Sequence, residues 1–292
     1  MRLGLNDDMR AKRPLAERVN LRRNVYLLPN FITTGALFFG FYSIMLAFKG
    51  EFTQAVISIL VAAVFDTADG RIARLTKTVS NFGAQYDSLS DMVAFGVAPA
   101  VVLVAWGAPY LGNFGWICGF FYAACCALRL ARFNNQDSEQ RSKNHFTGLP
   151  STLAGIIIAS GIWVVNENSL LADMSSISAL MMALLTLCLG LLMVSEISYW
   201  NPKKLTLRST KPFVSLVGFV VFFTLVASDP SKVIFALTLI YAVLGPLSAT
   251  CSKLIRLLLR LAAFTPPGKA AEKQENQDAQ DSFVVNSRRK SS

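Results

Sequence analysis

Residues 65–91 read FDTADGRIARLTKTVSNFGAQYDSLSD, and the rest of the chain takes its meaning from them. Asp66 and Asp69 are three residues apart at the end of one apolar run, and Asp87 and Asp91 are four apart at the start of the next. At helical spacing each pair projects from one face. The residues between make a short turn, so the two helices are expected to be antiparallel neighbours with the carboxylate pairs facing. Such groups are costly at membrane depth, roughly +2.5–3.5 kcal/mol for an ionised Asp even on insertion scales. Divalent metal resolves the conflict. Oxygen ligands suit Mg²⁺ or Mn²⁺, and Mg²⁺ takes few carboxylates, leaving places for water and substrate phosphate oxygens. The pattern therefore points to a phosphate-bearing substrate whose charge in transfer is neutralised by metal.

Neighbouring residues fit that reading. Gly70 leaves a notch where a nucleotide can approach the backbone. Arg74, one turn further along the same face, offers a planar fork to a diphosphate. Ala73 and Gly83 are small enough for close helix approach. Ion pairing of the aspartates with Arg71, Arg74 and Lys77 would explain one or two carboxylates but not four. An ion-coupled transporter is the stronger rival, since intramembrane acids also mark ion paths. Transporters spread such groups over broken helices in repeated halves, whereas here they share one hairpin and no repeat is visible.

Outward from this hairpin the chain is apolar. Of 292 residues 53% are hydrophobic and 16% charged, with a mean hydropathy of +0.45, which a soluble domain rarely shows. Eight apolar runs, near 28–48, 52–75, 83–107, 112–134, 150–166, 175–197, 212–228 and 232–252, approach the ~20 residues a crossing helix needs. The expected fold is an all-α polytopic membrane helix bundle of about eight transmembrane helices. It divides into a basic segment 1–27, a transmembrane catalytic domain 28–252 and a polar tail 253–292, expected to be disordered and cytoplasmic. Residues 9–26 read either as a short interfacial helix or as a solvated basic flank. No signal-peptide pattern precedes the first run, so the chain is expected to be retained whole.

Basic residues orient the bundle. With a cytoplasmic N-terminus, only Lys49 and Lys232 of the 28 Lys and Arg residues fall on the far side. This positive-inside bias supports an even number of crossings with both termini and the aspartates facing the cytoplasm. The net charge of +10 is thus spent beside membrane spans and anionic headgroups. No basic face on a soluble module argues for nucleic acid. The five cysteines sit in or at the edge of apolar runs without CxxC spacing, and His145 is the only histidine. Reduced thiols used as small hydrophobes are expected, and zinc is not.

Asp66, Asp69-Gly70, Ala73-Arg74, Gly83, Asp87 and Asp91 also stand at the spacings of the pattern by which CDP-alcohol phosphotransferases are identified, and the chain resembles that family on all eight positions. The resemblance implies a six-helix core, usually a homodimer, around two metal ions at a site open to the cytoplasm. It implies that Asp66, Asp69 and Asp87 bind metal and that Asp91 completes the metal site and acts as general base. Gly70, Ala73, Arg74 and Ser80 would line the CDP-lipid site. Pro29-Asn30-Phe31-Ile32 resembles the segment relatives place beside the nucleotide. Asn30 and Thr33 read equally well as helix-start residues.

LPNFITTGALFFGF (28–41), DMVAFGVAPA (91–100), ALRLARFN (127–134) and FTGLPSTLAG (146–155) look like the integral-membrane bacterial phosphatidylserine synthases, with SEISYWNPKK (195–204) a less specific likeness. Relatives often read Ser-Pro where this chain has Ser151-Thr152, a departure that changes no charge. The likeness implies CDP-diacylglycerol and L-serine as substrates, membrane lipids as surroundings and the bacterial inner membrane as location. A serine pocket needs a cation for the carboxylate. Arg129 and Arg132, with Asn134 as polar partner, are the candidates, and snorkelling anchors are the plainer reading of both arginines. The same chemistry with glycerol 3-phosphate, inositol phosphate or choline as acceptor is the nearest alternative.

Overall fold

A computed structural model describes residues 15–76, 80–135, 145–168, 175–200 and 212–263. They form helices α1 (Leu15–Phe48), α2 (Phe52–Thr76), α3 (Asn81–Asp91), α4 (Ala98–Asn134), α5 (Ser151–Glu167), α6 (Ser175–Val194), α7 (Pro212–Ser228) and α8 (Pro230–Ala263). A π-helical turn, Met92–Val97, joins α3 to α4. Strands β1 (His145–Thr147) and β2 (Ser198–Trp200) pair antiparallel, with Phe146 opposite Tyr199. Apart from this short ribbon the described chain is helical, as the apolar runs require.

Helical stretches at Leu28–Phe48, Asn81–Asn134, Ser175–Val194 and Pro230–Ser248 are long and apolar enough to cross a membrane. The 54-residue stretch Asn81–Asn134 is about 80 Å long at helical rise, enough for two crossings. It breaks at Gly112, whose φ of 49° and ψ of −130° lie where a residue without Cβ is at ease. The expected spans 83–107 and 112–134 lie on either side of that break. Ser151–Glu167 and Leu216–Ser228 are shorter apolar helices.

Two boundaries differ from the sequence expectation. Residues 15–26 continue without interruption into α1, which carries Pro29 in its interior. No separate interfacial helix forms there, and residues 9–14 of that segment lie outside the described residues. At the other end α8 runs on through residues 253–263, which the sequence reading gives to the tail. Residues 264–292 lie outside the described chain. The chain divides into compact units 1–246 and 247–292, and the features below belong to the first.

The turn between α1 and α2 closes because Gly50 adopts φ +79°, and the amides of Gly50 and Glu51 bond back to Ala47 and Leu46 at 3.1 and 3.0 Å. α1 then packs along α2, and α4 along α6. Small residues set how close the helices come. A Cβ at Gly40 would lie 2.7 Å from Ala94 Cα, and one at Gly155 would lie 3.2 Å from Phe95 Cα. The π-turn is therefore gripped by α1 on one side and α5 on the other. Phe95, Tyr122, Leu103, Ile157 and Ile158 are fully buried around it.

Candidate active site

The hairpin of α2 and α3 brings the acidic residues together. Asp66, Asp69 and Asp87 each place a carboxylate oxygen within 4.8 Å of the others, and Asp91 is hydrogen-bonded to Asp66. Asp69 is 3% exposed. Thr33 Oγ1 donates to Asp69 Oδ2 at 2.7 Å, the Gly70 amide also donates to Asp69, and Thr152 Oγ1 donates to Asp66 Oδ2 at 3.4 Å. Among the described residues no hydrogen-bond donor reaches Asp87. A convergent all-oxygen set with surplus negative charge fits a hard divalent cation and can hold one.

Beside the cluster opens a cavity of about 310 Å³. Pro29, Asn30, Gly70, Ala73, Arg74 and Ser80, all expected at the CDP-lipid, line it together with Asp69 and Asp87. Phe31 and Ile32 do not: Phe31 is 77% exposed on the outer face of α1. Ser80 helps to make the space. It is the N-cap of α3, in extended conformation, and its Oγ accepts from Gly83 N at 3.0 Å, so the start of α3, through Ser80, Gly83 and Ala84, forms one wall of the cavity. A helix N-terminus favours anionic oxygen. Gly83 has to be small, because a Cβ there would lie 3.1 Å from Ser80 Oγ and 3.4 Å from Asn30 Oδ1.

The three residues expected to hold an acceptor separate. Arg129 donates from Nη1 to Ser151 Oγ at 2.6 Å and interacts electrostatically with Asp91 and Asp66. Arg132 turns outward to Glu196 Oε1 and to the Val194 carbonyl, both at 3.4 Å. Asn134 bonds Ser88 Oγ at 3.0 Å and lines a second, mostly apolar cavity of about 360 Å³ between α3 and α4. Residues three apart are neighbours on a helix, so it is the elements packed against α4, with Ser151 on α5 beside Arg129 and the end of α6 beside Arg132, that draw the two side chains apart.

Other residues enter only through the fold. Because α1 starts at Leu15, Asn30 and Thr33 are helix-interior and not helix-start residues. Thr33 is 4% exposed. Its hydroxyl reaches Asp69, and its carbonyl accepts from Ser90 Oγ at 3.1 Å, tying α1 to both carboxylate-bearing helices. Directly after Asp91 the π-turn carries the Ala98 amide back to the Val93 carbonyl. The Phe95 carbonyl inside this wide turn accepts from the Tyr122 hydroxyl at 2.8 Å, fully buried. A π-turn often marks a functional site, but hydrophobic periodicity alone does not register one.

Residues 26–194 match the family model described as CDP-alcohol phosphatidyltransferase. A Helicobacter pylori protein named CDP-diacylglycerol–serine O-phosphatidyltransferase is 32% identical over 220 residues, which is 75% of this chain and 91% of that protein. A protein of the same name from Methanocaldococcus jannaschii is 33% identical over 177 residues, covering 61% of this chain and 75% of its own. An archaetidylserine synthase from Methanothermobacter thermautotrophicus is 33% identical over 174 residues, 59% of this chain and 69% of that one. A family so matched sets the transporter reading aside. With its acids, the cavity beside them and apolar helices on one framework, the chain belongs to the CDP-alcohol phosphatidyltransferase family and is an integral membrane enzyme.

Proposed function

We propose that this enzyme transfers the phosphatidyl group of CDP-diacylglycerol to the hydroxyl of L-serine, giving phosphatidylserine and CMP, in the inner membrane with the site facing the cytoplasm. The observation that carries the reading is the convergence of Asp66, Asp69 and Asp87 from α2 and α3 beside a cavity walled by Gly70, Arg74 and the start of α3, with Asp91 interacting with Asp66. The names of the relatives support serine as acceptor.

Asp66, Asp69, Asp87 and Asp91 are the residues that would hold Mg²⁺ or Mn²⁺, in the reading two ions. Bound there, metal supplies charge neutralisation for the diphosphate and the leaving CMP. The remaining work belongs to the chain. Arg74 and the α3 N-terminus hold the diphosphate, while Gly70 and Ala73 admit the nucleotide close to the backbone. Asp91 takes the proton of the serine hydroxyl as that oxygen bonds to the lipid-linked phosphorus and the bond from phosphorus to CMP breaks. Arg129, held by Ser151 within reach of Asp91, is the cation for the serine carboxylate. Arg132 and Asn134 are engaged elsewhere.

The test is CMP release by purified protein given CDP-diacylglycerol, Mn²⁺ and labelled L-serine, with label appearing in lipid. Release only with glycerol 3-phosphate, inositol phosphate or choline would reassign the acceptor. No CMP release with any alcohol, from folded protein, would defeat the reading.

A further inference from the structure

The match to the family ends at residue 194, yet the chain beyond it reaches back to the acceptor side of the site. β2 pairs with β1, and β1 leads directly into Gly148-Leu149-Pro150 and the first turn of α5. That turn carries Ser151, which accepts from Arg129, and Thr152, which donates to Asp66. The joint is fastened at close range. Gly148 N bonds Ile197 O at 2.9 Å and Leu149 N bonds Leu192 O at 3.1 Å. Gly148 has φ +81°, and a Cβ there would press on the Met193 carbonyl.

Tyr199 ties this joint to α8. It is 1% exposed, its hydroxyl donates to Ala242 O at 3.2 Å, and its ring stacks on Tyr241 at 5.7 Å between centroids. It fits only because position 245 is glycine, where any Cβ would run into the ring. A buried aromatic with a satisfied hydroxyl on a three-residue strand is a fixed point, whereas so short a ribbon is not stable by itself.

We infer that Tyr199 is a positioning residue for acceptor binding: by locking the ribbon to α8 it fixes the segment that presents Ser151 to Arg129 and Thr152 to Asp66. The identity of the acceptor rests on the function proposed above; the clamp does not. A loosened joint lets Arg129 drift and costs the α2–α3 hairpin only the long Thr152 bond to Asp66, while the cavity lined by Asn30, Gly70, Arg74 and Ser80, which the joint does not line, stays in place. Misplacement of binding groups by about 1 Å is worth as much as 10²-fold.

The experiment uses the full chain in detergent and varies each substrate at saturation of the other. Tyr199→Ala is expected to raise KM for L-serine about tenfold and to leave KM for CDP-diacylglycerol within about twofold. Tyr199→Phe keeps the ring and loses one hydrogen bond, so it should restore the serine KM to within about threefold of the parent. Gly148→Ala strains the same joint from inside the family domain and should show the same split, so it decides the matter if Tyr199→Ala does not purify folded. Equal changes in both KM values, or none in either, would overturn the clamp. Should the unaltered enzyme use a different alcohol, the serine reading fails and the clamp is judged on the KM of that alcohol.

Discussion

Both ends of the bundle carry carboxylates, and they are built on opposite terms. Along α5, Glu167 lies about 24 Å from Ser151 at helical rise. Its Oε1 accepts from Trp163 Nε1 at 2.7 Å and its Oε2 from Ser231 Oγ at 2.5 Å, and alongside it Trp106 Nε1 donates to Asn166 Oδ1 at 2.9 Å. Each oxygen of Glu167 has a donor, so the group serves architecture. It ties α5 to the first turn of α8 without leaving charge in need of compensation. At the other end Asp66, Asp69 and Asp87 face one another, one of them without any donor among the described residues. A protein would not assemble such a cluster for stability, since like charges in a half-buried site oppose folding. Saturated carboxylates hold the fold together. Starved ones wait for a ligand.

The comparison breaks if the acidic cluster proves structural, so the largest expected effect is there. Asp91→Asn keeps shape and polarity but cannot accept a proton from the attacking hydroxyl. CMP release should fall roughly 10²–10⁴-fold, with the melting temperature unchanged or raised because one repelling charge is gone. A parallel thermal measurement sharpens the point. Mn²⁺ should raise the melting temperature of the parent enzyme, since a ligand of the folded state alone stabilises it, and chelation should reverse this. Asp69→Asn should lose the response. Full turnover in the Asp91 variant would remove it from proton transfer.

Next in size is Arg129→Gln. Three residues from Arg132 on the same helix, Arg129 alone faces the carboxylates. Its loss should raise KM for serine about 10–100-fold while CDP-diacylglycerol binding changes little, the usual worth of a lost charged hydrogen bond being about 1.5–3 kcal/mol. Arg132→Gln should leave both constants within about twofold, because its contacts are exposed and long. Equal losses from the two arginines would put both in the pocket.

How far the molecule was legible in its sequence follows from the range of each interaction. The apolar runs and the facing of the aspartate pairs follow from run length and from helical spacing within one hairpin, and local periodicity carries that information. Most of the residues expected around the cavity come from the family resemblance, and Phe31 and Ile32 among them do not line it. Thr33 was ambiguous because its partner Asp69 is 36 residues away and nothing local distinguishes a helix-interior threonine from a cap. Arg129, Arg132 and Asn134 find different partners, Ser151, Glu196 and Ser88, because the elements packed around α4 decide where each side chain goes and the sequence of α4 alone does not carry that information. The ribbon was invisible, since three-residue strands are too short to show alternation. The π-turn was invisible for a related reason: it adds one residue to a helix whose apolar pattern is unbroken on both sides.

That π-turn gives a smaller and more discriminating effect. Tyr122→Phe removes one hydroxyl and leaves the Phe95 carbonyl buried without its donor, a cost of about 1–3 kcal/mol. If the wide turn holds Asp91 in phase with Asp66, kcat should fall about tenfold with both KM values nearly constant. A lower melting temperature with unchanged kcat would make Tyr122 a stability residue only.

The smallest effect on turnover is expected where the carboxylate is saturated. Glu167→Ala strips the acceptor from Trp163 and from Ser231, which is 0% exposed, so two donors lose their partner at the junction of α5 and α8. Glu167 itself is exposed, and water can replace part of what is lost; the cost should be about 1–2 kcal/mol, read as a fall of a few degrees in melting temperature. CMP release below that temperature should stay within about twofold of the parent. That end is far from the acidic cluster along α5, and α5 is a stiff rod whose other end is separately fixed by Gly148, Leu149 and Tyr199. A turnover loss on the scale of Arg129→Gln would mean that strain travels the length of α5 to Ser151 and Thr152. The two ends would then be one device, with Glu167 setting the height of the helix on which the acceptor site stands.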